Sequence, residues 1–162
     1  MFSRSKALQE KMMKNVFLVM TLLFASLSPA FADHHEGSSV EAFVQDYFDK
    51  FNSTTLEADP EQSFTFPAVF INDGKVRVIQ DASVKVFDYE VIRASGWGYS
   101  KILNTTVLYE GPNSAVVQVD FNRHKADDSL LNTSTVFYTL AMTTAGWKLV
   151  GASIPGGITL VE

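Results

Sequence analysis

The chain has 162 residues, no cysteine, 46% hydrophobic residues and a formal charge of -5. That length supports one ordinary domain, and the missing cysteines exclude disulfides, thiolate catalysis, iron–sulfur clusters and thiolate zinc sites. Three histidines and an acidic balance also argue against a multi-histidine metal centre and against nucleic acid as a partner, because phosphate contacts need clustered Lys and Arg.

The charge is unevenly spread. Residues 1–32 carry Arg4, Lys6, Lys11 and Lys14 against Glu10 alone, which leaves 9 basic and 17 acidic residues, or about -8, in 33–162. An apolar run from Val16 to Leu27 follows the four positive charges, and Pro29-Ala30-Phe31-Ala32 follows the run. Basic, apolar and small-x-small regions in that order predict a secretory signal peptide cleaved after Ala32. The run is shorter than the roughly 20 residues that span a bilayer, so the expected product is a periplasmic or secreted protein with no membrane partner. Cleavage there would place His35 third from a free amine, after Asp33 and His34. An amine, backbone nitrogens and an imidazole can form a square-planar set suited to Cu(II) or Ni(II), although a polar tail (33–37) without metal is the simpler expectation.

The folded part is expected over 38–162. Ser38 and Glu41 have capping-box spacing, and Val40, Phe43, Val44, Tyr47, Phe48 and Phe51 form one apolar stripe, predicting a helix over 40–51. Pro60 is placed to open a short helical turn. Residues 64–71 read as a strand with Pro67 at an edge or bulge; Asn72-Asp73-Gly74 as a hairpin turn; and 75–79 as the return strand. Asp81 is expected to cap a second helix running to about Ala94, stopped by Gly96. Residues 102–109, 115–123, 133–143 and 147–154 then read as four strands with short connections, an antiparallel meander. A bent, mostly antiparallel sheet over a long first helix and two further helices, an α+β cone, would bury both patterns.

This order resembles the nuclear-transport-factor-2-like superfamily, nearest to its SnoaL-like and ketosteroid-isomerase-like domains. The resemblance rests on helix 40–51, on Phe66-Pro67-Ala68-Val69-Phe70, on the turn at Gly74, on Gly96 with Tyr99-Ser100, and on Tyr138-Thr139-Leu140 before Gly146-Trp147-Lys148-Leu149. It implies a cavity between helix and concave sheet and a homodimer built on the sheet. It does not imply an activity.

Proton transfer beside a carbonyl needs a carboxylate base and donors aimed at the oxyanion. Tyr47 resembles the family's helix-borne donor, but strand 64–71 carries no acid, and neither does 132–137. Asp120 shares a strand face with Gln118, Asn122 and His124, opposite Val117, Val119 and Phe121, so alternation turns it away from the core. Arg123 falls on the apolar face, placed to meet a carboxylate ligand bidentately or to snorkel to the rim. Tyr47, Trp97, Tyr99, Arg123, Tyr138 and Trp147 are therefore the pocket candidates, with no cofactor expected. The expected function is binding of a small apolar or amphipathic ligand. The alternatives are an isomerase- or lyase-type enzyme, and a dimeric interaction module whose aromatics fill the cone.

Overall fold

A computed structural model describes residues 39–160. The expected signal peptide, its cleavage site and the Asp33-His34-His35 tail lie outside the described residues.

Helix α1 spans Val40–Asn52, with Val40, Phe43, Val44, Tyr47 and Phe48 buried along the stripe seen in the sequence. Its cap is Ser39, one residue later than expected: the Ser39 hydroxyl accepts from the Ala42 N–H at 3.2 Å. Ser38 lies outside the described residues, so Glu41 has no reciprocal partner among them; it serves as the acidic residue of the first turn. Lys50 bridges back to Asp46 at 2.7 Å on the solvent face. Two 3-10 turns, Thr55–Glu57 and Pro60–Gln62, carry the chain to the sheet, the second opened by Pro60.

The sheet has six strands: β1 (Phe64–Asn72), β2 (Lys75–Ile79), β3 (Tyr99–Glu110), β4 (Ser114–His124), β5 (Leu130–Thr143) and β6 (Gly146–Ile154). Their spatial order is β2-β1-β6-β5-β4-β3. The hairpin and the meander form as expected, all antiparallel. Asp73 and Gly74 turn the hairpin with φ of 50° and 74°, the double left-handed geometry that favours Asp-Gly. The mixed element is β1 beside β6, which run parallel, with a register shift between Phe64 and Val69. Pro67 sits inside that shift, preceded by a cis peptide bond, and outside the span that pairs with β2. No ladder donor is missed there.

The second helix is a correction. Asp81 does not open it; its carboxylate accepts from the Ser83 N–H at 2.9 Å in a local turn. Helix α2 covers only Tyr89–Ala94, capped by Asp88, which accepts from Glu90 and Val91. The reason lies on β2. The Arg77 guanidinium donates to the carbonyls of Lys85 and Val86, the latter at 2.7 Å, and takes acceptors that a helix through 81–94 would need. Residues 84–87 stay outside the helix, with bends at Val84 and Val86, and Val86 and Phe87 enter the core.

That core is aromatic. Phe51 meets Phe87 at 5.1 Å and Trp97 at 5.2 Å between ring centroids, both edge-to-face, and Phe48 meets Phe121 at 5.4 Å. Strand β4 alternates strictly, with Ala115, Val117, Val119, Phe121 and Arg123 inward. Gly98 lets the start of β3 pass the backbone of Lys125 and Ala126, where a Cβ would come within 2.7 Å.

Candidate functional site

Between α1 and the concave face of the sheet lies a cavity lined by aromatic rings of α1, β1 and β4, by Arg123 and Ser100, and by residues 158–160. It is nearly full. The space open to water centres is about 30 Å³, room for about two waters.

Its polar side chains are Tyr47, Ser100, Arg123, Tyr138 and Thr159. Tyr47 of α1 and Tyr138 of β5 approach edge-to-face at 5.4 Å. Burial pushes the Tyr47 phenol well above its ordinary range, and the neighbouring Tyr138 pushes it further; burial raises Tyr138 as well. Both are neutral donors at physiological pH. Arg123 is only 4% exposed and Ser100 5%, and they are direct partners across β3 and β4. Burial lowers the Arg123 pKa from its ordinary value. Among the described residues no Asp or Glu lines the cavity.

Ser100 is held from three sides. Asn52, the last residue of α1, donates to its carbonyl and accepts from its N–H, both at 2.8 Å. The Trp97 indole N–H donates to its hydroxyl at 2.9 Å. These contacts join the end of α1 to the start of β3 and fix the Ser100 oxygen at the cavity wall.

The mouth is covered by the end of the chain. Asn72 clasps Ile158 with its side-chain amide, donating to the carbonyl at 2.7 Å and accepting from the N–H at 2.9 Å. The Asp88 N–H donates to the Leu160 carbonyl at 2.8 Å, and Leu160 is buried. Residues 156–160 thus form a strap across β1 and the start of α2. Gly157 turns it with φ +65°, where a Cβ would meet the Asp73 Cβ at 2.8 Å.

Of the six pocket candidates, Tyr47, Arg123 and Tyr138 line the cavity. Trp97 and Trp147 are buried core residues away from its wall, Trp97 acting on Ser100. Tyr99 lies on the opposite face of the sheet. Its ring stacks on His124 at 4.8 Å and 7°, because strand alternation sends Tyr99 and Ser100 to opposite sides. Asp120 and Asn122 share that outer face. They accept from the Thr135 hydroxyl at 2.6 Å and the Thr133 hydroxyl at 2.8 Å, respectively. Among the described residues no three His, Asp or Glu gather to hold a metal ion, and no helix is long and apolar enough to cross a membrane. Ser100 and the strap were not read from the sequence. Gly156-Gly157 before Ile158-Thr159-Leu160 was the available signal for the strap, a turn followed by an apolar segment.

The phenols of Tyr47 and Tyr138, the hydroxyls of Ser100 and Thr159 and the Arg123 guanidinium can each donate to an oxygen, and among the described residues no carboxylate lines the cavity. Residues 35–155 match the family described as NTF2-like protein (DUF6841). No curated protein sequence matches the chain. The fold is similar to that of an NTF2-like protein of unknown function in nutrient uptake from Rhodospirillum rubrum. That similarity has TM-score 0.54 and 17% identity, covering 77% of this chain and all (100%) of that one. A Novosphingobium aromaticivorans protein provisionally assigned as an aromatic ring hydroxylase is similar at TM-score 0.54 and 14% identity, covering 76% and 87%. A Shewanella frigidimarina protein provisionally assigned as a ketosteroid isomerase is similar at TM-score 0.52 and 12% identity, covering 69% and 90%. At these identities the likeness is one of fold.

Proposed function

We propose, for a chain that belongs to the NTF2-like family DUF6841, that it is an exported protein binding a small apolar or amphipathic molecule in the cone without chemical change to it. The observation that supports this reading is the lining of the cavity: apolar rings with a few hydroxyls and one guanidinium, and no carboxylate among the described residues. Apolar walls with a few converging polar groups are the common form of a ligand site. For the proton-transfer alternative, no carboxylate base lines the cavity among the described residues.

In the closed form the cavity admits about two waters, so a ligand enters by displacing the strap 156–160. Native mass spectrometry of the protein purified from its source tests the reading. A non-covalent adduct of a small organic molecule, released on denaturation, is the expected result. A bare polypeptide mass, with no thermal stabilisation by any apolar acid or alcohol, overturns it. The same spectrum gives the N-terminal residue, expected at Asp33.

One observation favours a second role for the outer face of the sheet. Val69 pairs with Val78 and Ile71 with Val76, and all four side chains are exposed, Val76 at 66%. A homodimer would cover this patch. Sedimentation equilibrium should then show a dimer that Val78→Lys converts to monomer; a monomer at all concentrations excludes it.

A further inference from the structure

The cavity contains a positive charge, Arg123, that has no counter-ion among the described residues. None of the three ion pairs among the described residues includes Arg123; all are made by Lys50 or Lys85 at the surface. Its single hydrogen bond among them is a long one, from Nη2 to the Ser95 hydroxyl at 3.5 Å. A guanidinium has five N–H donors, and a buried cation is costly unless it is paired and its donors are used. Beside it, the Ser100 hydroxyl oxygen already accepts from Trp97, and its own hydrogen has no acceptor among the described residues. Both groups line the cavity, and both are held by the sheet: Arg123 near the end of β4, paired with Ser100 of β3 and Asn132 of β5, and Ser100 also by the Asn52 and Trp97 contacts. The remaining walls nearby are the rings of Phe48, Phe51 and Phe121.

From this geometry we propose that Arg123 and the Ser100 hydroxyl form a seat for one carboxylate, and that the ligand is a compact apolar monocarboxylic acid whose body lies among the aromatic rings. The inference rests on the ligand-binding reading above. One cation with one adjoining hydroxyl matches a single negative charge. A phosphate monoester would bring close to two charges at neutral pH, and among the described residues no second cation lines the cavity to meet the excess. Trp97 and Asn52 act as positioning residues, since they touch Ser100 and not the cavity contents.

The test compares phenylacetate and octanoate with their uncharged counterparts 2-phenylethanol and octan-1-ol, by calorimetric titration into the wild-type protein, Arg123→Met, Ser100→Ala and Trp97→Phe. At least one acid should bind ten-fold or more tighter than its alcohol. Arg123→Met should abolish that preference, acid affinity falling by at least ten-fold more than alcohol affinity. Ser100→Ala and Trp97→Phe should reduce the preference several-fold. Without ligand, Arg123→Met should melt at the same temperature as wild type or higher, because it removes an unpaired buried charge while keeping much of the apolar volume. A sharp fall in melting temperature would instead make Arg123 a structural residue and overturn the seat. Equal affinity for acid and alcohol overturns the seat but leaves the ligand-binding reading standing. Failure of all four probes to bind overturns both. Ser100→Ala is an independent check: an unchanged acid preference in that variant refutes the seat.

Discussion

Replacing Asn72 with alanine removes the clasp on the strap and nothing else of size. Two hydrogen bonds to Ile158 are lost, at 2.7 and 2.9 Å, both partly shielded from water. A neutral bond of that kind is worth about 0.5–1.5 kcal/mol net, so the pair contributes about 1–3 kcal/mol to keeping the strap shut. At about 1.4 kcal/mol per factor of ten, opening should become about five- to 150-fold more frequent. Amide hydrogen exchange in the native protein measures this. Ile158 will exchange faster trivially, since its own acceptor is gone. The informative amide is Asp88, whose N–H is held by the Leu160 carbonyl and which Asn72 does not contact. Its exchange should accelerate by the same factor as opening. If Ile158 accelerates while Asp88 does not, the strap does not move as one unit and cannot gate the cavity.

Three further outcomes are expected. Gly157→Ala should act as Asn72→Ala does on Asp88 exchange, since the new Cβ would meet Asp73 at 2.8 Å in a left-handed backbone; unchanged exchange would show that the turn adapts without cost to the strap. Leu140→Ala, at a fully buried position on β5, should cost about 2–5 kcal/mol in urea unfolding, and a loss below about 1 kcal/mol would mean that the core collapses around the gap. Tyr47 and Tyr138 stay protonated in the fold beyond the pH at which unfolded tyrosines ionise, near 10. Their contribution is complete below that pH and declines as pH rises above it, by about 1.4 kcal/mol per pH unit for each. Tyr47→Phe should flatten the decline of stability between pH 10 and 11 by about one such increment, and an unchanged slope would count against a buried, neutral Tyr47.

Much of the fold was legible because the relevant forces are local. The stripe of α1 and the alternation of β4 are periodicities set by burial, and the β1–β2 turn is written in Asp73-Gly74. The start of α2 was misread because Asp81 and Asp88 are equally good caps by residue type. The choice is made by Arg77, a residue on another element that takes the carbonyls of Lys85 and Val86. The parallel pairing of β1 with β6 left no sequence mark either, since either strand's pattern also fits an antiparallel neighbour. In the site, Arg123 was visible as a charge on an apolar face. Ser100 was not, because its role comes from Asn52, Trp97 and a cross-strand register that no short spacing encodes.

The place of β6 in the sheet also sets when the domain becomes whole. β6 lies between β1 and β5 and links the hairpin β1–β2 to the meander β3–β4–β5. A nascent chain that has not reached Gly146 holds two separate β units, with β1 and β5 as open edges and no ladder between them. Joining them closes a loop of about 80 residues, from Phe70 to its partner Ala152. The entropy of that closure is not offset by hydrogen bonding until the last strand exists. Assembly of the six-stranded sheet is therefore expected to wait until β6 has been made, and until then the edges of β1 and β5 stay open to other pairing.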